Sequence, residues 1–446
     1  MHILMISECY FPRVNGVSTS IMINRRNLQE MGHKVTLVVP EYESVTDNED
    51  GIIRIPGRYI AGFPEDPLMS ASAVRAKVNL FREMKIDIIH IQTPIVGHRA
   101  GVWLSKTLGI PRMESYHTYL VEYVSLYVKW LPAFMGRYIA KTVSRNECNN
   151  VTAIAVPSVA MLKVLRGYGV TVKAEIIPTG IDLSQFNGGN GMEFRKRYNI
   201  SADRPMLVTM GRVALEKNIE FLIHTVEEIR KTIPNVLFVI VGDGPARKCL
   251  TKLVEQRRLV DNVLFSGFLD RQTTLKDAYK AADAFVFASR TETQGLVVLE
   301  AMAMGLPILT TGKMGVADCV EDCAGAIVVE EDIPQFANQC IRVLQDSALK
   351  EKMRQESAKH AAAWSEEIFA KKLEQLYLYV LEERRLAVEA SANAKVQGSK
   401  ASGQQQQSWN SDGSNTIPML SPIRTNASAS TFVPFIDPPM NAVSPT

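Results

Sequence analysis

The sequence predicts an α/β protein of two Rossmann-like domains whose parallel sheets face a central cleft. Three observations predict it. Continuous apolar runs of strand length alternate with helical stretches, the mark of parallel strands covered on both faces. The rhythm runs once as far as Asp182, pauses at a polar stretch and starts again. The chain has 446 residues, too many for one ordinary core.

The first strand is the run from His2 to Ser7, followed by a loop from Tyr10 to Ser18. A helix then runs to about Met31, where Gly32 stops it as a residue just past a helix end does. Lys34 to Pro40 reads as the second strand, and further strands fall at Asp87 to Ile91, Pro111 to Ser115 and Ala153 to Pro157. The first unit closes near Ile176 to Asp182. The Gly/Asn-rich stretch from Asn187 to Met192 reads as a linker. Strands return at Met206 to Met210, Val236 to Val241, Val263 to Ser266, Ala284 to Phe287, Ile308 to Thr310 and Ala326 to Val329. A charged amphipathic helix from about Glu366 to Val388 ends the folded part. Beyond Ala390, Ser, Asn, Gln and Pro dominate, including Gln404 to Gln407. Such a segment buries too little apolar area to offset its ordering entropy and is expected to be disordered. The expected division is 1–182, 183–365, a C-terminal helix at 366–389 returning towards the first domain, and a tail at 390–446.

A hydrophobic fraction of 46% and a charged fraction of 22% are ordinary for a soluble globular protein. The net charge of +3 argues against a dedicated nucleic-acid binder. Cys9, Cys148, Cys249, Cys319, Cys323 and Cys340 form no C-x-x-C pair and read as reduced thiols. No apolar stretch is long enough to span a bilayer, and the N-terminus shows no signal-peptide pattern. Two α/β halves place their ligands in the cleft at the carboxyl ends of the strands.

Four features converge there on a phosphorylated sugar donor. Asn15-Gly16 follows the first strand, where a glycine lets backbone N–H groups approach an anion at a helix N-terminus. Gly211-Arg212 and Lys217-Asn218 follow the first strand of the second half. Two cations aimed into a cleft suit a diphosphate leaving group with developing charge. Glu292 and Glu300 flank Gly295, with Glu300 inside an apolar helical run. A carboxylate there is costly unless it accepts hydrogen bonds, which sugar or ribose hydroxyls can donate. His117 lies at a strand end of the first half, where a histidine serves either structure or chemistry.

With these residues quoted, the chain resembles the retaining glycosyltransferases of family 4, whose fold is GT-B. The resemblance covers about residues 1–385. It rests on the Glu-x7-Glu motif from Glu292 to Glu300, on Gly211-Arg212 with Lys217, and on Gly242-Asp243-Gly244-Pro245. It implies that Arg212, Lys217 and Gly16 contact the donor diphosphate and that Glu300 binds the ribose. It further implies that Glu292, with Thr293, Gln294 and Gly295, meets the donor sugar. It also implies that His117 corresponds to the family histidine near the reacting sugar, and base recognition in such folds is expected around Gly267 and Phe268. Glu292-Thr293-Gln294-Gly295 departs from the commonest E-G-F-G pattern and is similar to bacterial glucosyl-diacylglycerol synthases, as is the opening from Pro12 to Ser18. Phosphatidylinositol mannosyltransferases are further kin by this resemblance, though the departure weakens transfer of their donor sugar. The resemblance implies retention at the anomeric carbon, no metal and no cofactor. No D-x-D motif and no nucleophilic carboxylate stand out, which favours a front-face displacement.

Between Arg99 and Arg145 the basic residues are Arg99, Lys106, Arg112, Lys129, Arg137, Lys141 and Arg145, against Glu114 and Glu122. Tyr119, Tyr123, Tyr127, Trp130, Phe134 and Tyr138 interleave. Such a stretch either lays a helix on an anionic lipid surface or forms a core helix with a solvated basic face. The expected partners are a nucleotide-sugar donor, UDP-glucose first, and a membrane glycerolipid acceptor, with the enzyme peripheral on the cytoplasmic face. A soluble or polysaccharide-precursor acceptor is the alternative enzyme reading, and an inactive GT-B scaffold the alternative from another class. A dehydrogenase is disfavoured, since the turn after the first strand lacks G-x-G-x-x-G.

Overall fold

The computed structural model describes residues 1–13, 15–43, 49–60, 63–121, 132–271 and 273–408. Met1–Ala387 forms one compact unit. Its strands are β1 (His2–Ile6), β2 (Lys34–Pro40), β3 (Ile52–Ile55), β4 (Gly57–Ile60), β5 (Phe63–Met69), β6 (Ile88–Ile91), β7 (Arg112–Ser115), β8 (Ala153–Val156) and β9 (Lys173–Ile176). There follow β10 (Met206–Met210), β11 (Leu237–Val241), β12 (Val263–Gly267), β13 (Ala284–Phe287), β14 (Ile308–Thr310) and β15 (Ala326–Val328). Seven of them form a parallel sheet in the order β3-β2-β1-β6-β7-β8-β9, and six form a second in the order β12-β11-β10-β13-β14-β15. This is the GT-B fold, two Rossmann-like units.

The continuous apolar runs are explained by burial on both faces. Leu4 and Ile6 enter one core and Ile3 and Met5 the opposite one, as the two-residue period of a strand requires. In the second sheet Met206 and Val208 face one core and Leu207 the other. β3, β4, β5 and β9 had no counterpart in the sequence reading. β4 and β5 pair as an antiparallel ribbon outside the main sheets. Pro64 and Pro67 within β5 blur the strand signal, because proline is tolerated only at such edges. Asp87, read as strand, instead accepts a hydrogen bond from the His2 N–H at 2.6 Å.

The Asn187–Met192 stretch is only partly a connection. Asn190 caps the helix Gly191–Arg197 by accepting from Met192 and Glu193. The last helix runs Glu366–Ser408, past the expected boundary at Ala390. Ala, Glu, Lys and Gln are good helix formers, so a composition poor in core residues still permits a helix. The rest of the tail, 409–446, lies outside the described residues. Leu373, Leu376, Tyr377 and Val380 pack on Ile3 and Met5 of the first sheet. The chain crosses back at Gly180, where a Cβ would stand 2.2 Å from the Glu366 Cα, so only glycine allows the approach. Among the described residues no helix is long and apolar enough to cross a membrane.

Candidate active site

Strand order reverses between β1 and β6 in the first sheet and between β10 and β13 in the second. Loops leaving these strands diverge and open a crevice, the usual ligand position of doubly wound sheets. Gly16, Arg212, Lys217 and Glu292 to Gly295 follow these strands, His117 follows β7, Gly267 and Phe268 stand at the end of β12, and Glu300 lies in the helix Leu296–Ala303.

After β10, Gly211 has φ 137°, and the loop after β11 packs against it so closely that a Cβ on Gly242 would meet the Gly211 carbonyl at 2.0 Å. Val213 N–H donates to the Asp243 carbonyl at 3.0 Å, which ties the two loops. Arg212 sits between these anchors and donates to Glu216 at 2.6 Å. A short turn, Leu215–Lys217, ends at left-handed Asn218 and places the Lys217 ammonium on the Glu292 carboxylate. Glu216, next to Lys217 in the chain, thus pairs with Arg212 and leaves Lys217 to Glu292.

Glu292 lies on the loop between β13 and the helix Leu296–Ala303, which starts at left-handed Gly295, φ 102°. Thr293 donates through its hydroxyl to the His117 carbonyl at 3.1 Å, and Ser158 donates to the Thr293 carbonyl at 2.7 Å. Gln294 turns to Thr179, accepting from its N–H and donating to its carbonyl, each at 2.7 Å. Glu300 is 4% exposed. Ligand hydroxyls were expected to offset its burial, but the protein supplies donors itself: Tyr279 at 3.1 Å and the Arg271 guanidinium. At the end of β12, Gly267 is left-handed and Phe268 is 80% exposed.

In the first half, Asn15 caps the helix Gly16–Glu30 by accepting from the Ser18 N–H at 2.8 Å. A Cβ on Gly16 would meet no described atom within 4 Å. His117 pairs through Nε2 with Gln92 at 3.1 Å, and burial pushes its imidazole down to about 4, so it is neutral at pH 7. The site includes groups that the sequence reading missed. Glu8 follows β1 and accepts from the Val96 and Gly97 N–H groups, and burial pushes its carboxyl up to about 8. Its Oε1 is buried without a hydrogen-bond partner, and so is Nε2 of Gln92. Position just past a strand end was the signal available for both.

The basic stretch divides. Glu122, Tyr123, Tyr127, Lys129 and Trp130 lie outside the described residues. Glu114 is buried against His98 at 2.8 Å and so does little to offset the surface charge. Arg112 donates to the Asn150 carbonyl and the Ser105 hydroxyl rather than joining a basic face. The helix Ala133–Cys148 carries Phe134 and Tyr138 at 74% and 72% exposure, beside Arg137 and Lys141.

Two Rossmann-like units, with cations and carboxylates meeting at a switch point, describe a two-domain sugar-transfer enzyme. Residues 14–185 match the family described as Glycosyltransferase Family 4, and residues 192–360 match Glycosyl transferases group 1. An alpha-monoglucosyldiacylglycerol synthase of Streptococcus pneumoniae is 31% identical over 328 residues, 72% of this chain and 74% of the relative. One from Acholeplasma laidlawii is 27% identical, covering 86% and 98%. The Anabaena protein HepE, solved in complex with UDP-glucose, superposes with a TM-score of 0.68 at 16% identity, over 86% of this chain and 100% of its own. The chain belongs to the family 4 glycosyltransferases and is an enzyme of that class.

Proposed function

We propose that the enzyme transfers glucose from UDP-glucose to a hydroxyl of a membrane glycerolipid, with retention at the anomeric carbon. The observation that carries this reading is the pairing of Lys217 with Glu292 beside Arg212 at the switch point of the second sheet. Arg212 and Lys217 both stand on the loop that follows β10 and suit the two phosphates of a diphosphate. Glu292 then takes a sugar hydroxyl while Lys217 bridges it to the phosphate. Glu300 takes the ribose, Gly267 and Phe268 border the base, and the peptide groups of Thr293, Gln294 and Gly295 complete the sugar site. Gly16 and Gly211 have open space where a side chain would stand, which suits close approach of an anion. Residues 1–182 serve the acceptor and 183–365 the nucleotide sugar.

In the reaction the acceptor oxygen bonds to the anomeric carbon on the face from which the phosphate oxygen leaves. The acceptor proton passes to the departing phosphate, whose charge Arg212 and Lys217 stabilise. Neutral His117 donates or accepts a hydrogen bond beside that centre without adding charge. The lipid acceptor is supported by the names of the relatives and by the Phe134–Arg137–Tyr138 face, which suits peripheral binding to an anionic leaflet on the cytoplasmic side.

The test is a panel of UDP-, GDP- and ADP-sugars, each offered with diacylglycerol in vesicles and with soluble sugar acceptors. Glucosyl-lipid formed from UDP-glucose, α-linked by NMR, supports the reading. Transfer from another nucleotide sugar, to a soluble acceptor only, or with inversion would overturn the corresponding part.

A further inference from the structure

The loop that carries Glu292 is held to the first half of the molecule by its next two residues. Thr293 reaches the His117 carbonyl and receives Ser158. Gln294, 6% exposed, saturates both polar groups of the Thr179 peptide with its one side chain. The Thr179 hydroxyl in turn donates to Ser20 at 2.9 Å, on the helix that begins at Gly16. A continuous line thus runs from the Glu292 loop through Gln294 and Thr179 to the Gly16 helix.

We infer that Gln294 is a positioning residue, which sets the register of Glu292 against Gly16 and His117 rather than binding the donor through its side chain. This rests on the proposed donor roles of Glu292 and Gly16. The chemistry selects glutamine closely. Asparagine is one methylene short of the Thr179 peptide. Glutamate cannot donate to the Thr179 carbonyl when ionised. Methionine keeps the volume but leaves a buried N–H and C=O unpaired. Arg212, Lys217 and Glu300 all belong to the second half and Gly16 alone adds a diphosphate contact from the first, so nucleotide affinity depends little on this register. Turnover does, because misplacing reacting groups by about 1 Å can lower the rate on the order of a hundredfold.

The experiment compares wild type with Gln294→Glu, Gln294→Met and Ser158→Ala, measuring kcat, the donor KM, UDP affinity by calorimetry and the ratio of donor hydrolysis to transfer. The expected result for both Gln294 variants is a kcat lower by about tenfold or more, UDP affinity within about twofold of wild type, and a raised hydrolysis ratio. Ser158→Ala removes one neighbouring tie and shows the same pattern more weakly, which keeps the test decisive if a Gln294 variant fails to fold. An unchanged kcat in the folded variants overturns the inference. UDP affinity falling in step with kcat also overturns it and makes Gln294 a donor contact. A wild type that neither binds UDP nor transfers from it defeats the donor reading instead.

Discussion

Lys217 holds its ammonium on the carboxylate of Glu292, joining the loop after β10 to the loop after β13. Arg212 is likewise paired, with Glu216. On the proposed reading, protein carboxylates pre-place both cations for the diphosphate, which limits the reorganisation left for the reaction. Replacing Lys217 or Arg212 by alanine should lower kcat/KM by a factor equivalent to about 2–4 kcal/mol, the scale for losing one charge-assisted contact in a transition state. Circular dichroism should show both variants folded. Near wild-type turnover in either would remove it from the diphosphate role.

Glu8 makes stability depend on pH. Its carboxyl is raised from 4.5 to about 8 by burial, so the folded protein keeps a proton that the unfolded chain releases. The stabilisation from that proton is full below the ordinary carboxyl range and is lost as pH rises towards about 8. Glu8→Gln, neutral at every pH, should melt level with wild type near pH 4.5 and above it beyond pH 8. Thermal melts across this range check it, and parallel curves for the two proteins would refute it.

Tyr377 should anchor the C-terminal helix. Its hydroxyl meets Nδ1 of His90 at 2.7 Å, while Nε2 meets Ser115 at 2.8 Å. Burial pushes His90 down to about 3, so the ring is neutral with one donor and one acceptor, both used. Tyr377→Phe leaves a buried ring nitrogen unpaired and should cost about 1–3 kcal/mol. Tyr377→Ala adds a cavity and should cost about 3–5 kcal/mol by the scale of large-to-small aromatic truncation. Urea unfolding measures both, and a Tyr377→Phe variant as stable as wild type would show that the hydroxyl contributes nothing.

The exposed face of the helix Ala133–Cys148 should bind anionic membranes. Phe134 and Tyr138 offer apolar area and Arg137 lies between them. Each basic residue near an anionic surface contributes roughly 1 kcal/mol, and salt screens it. Wild type should float with phosphatidylglycerol vesicles and not with zwitterionic ones, less so in high salt. A Phe134→Ser, Arg137→Ala, Tyr138→Ser triple variant should lose the preference. Equal flotation of the variant would place the contact elsewhere.

By itself the sequence determined the architecture and the chemistry on offer. Apolar runs such as Met206–Met210 can be satisfied only by burial on both faces, so parallel sheets and a strand-end crevice follow from local pattern. Arg212, Lys217, Glu292 and Glu300 could be singled out because charged groups next to such runs are conspicuous. The ribbon of β4 and β5 was not legible, since its prolines remove the signal that strands otherwise give. Nor was the helix beyond Ala390, where helix propensity operates without core burial. Pairing was decided only by the tertiary structure. Glu216 lies beside Lys217 in sequence yet bonds Arg212, and Glu300 finds Tyr279 and Arg271. Gln294 spends its amide on Thr179, 115 positions away. A hydrogen bond depends on distances of a fraction of an ångström between groups brought together by chain crossings, and no local pattern of residues encodes which of several possible partners will stand there.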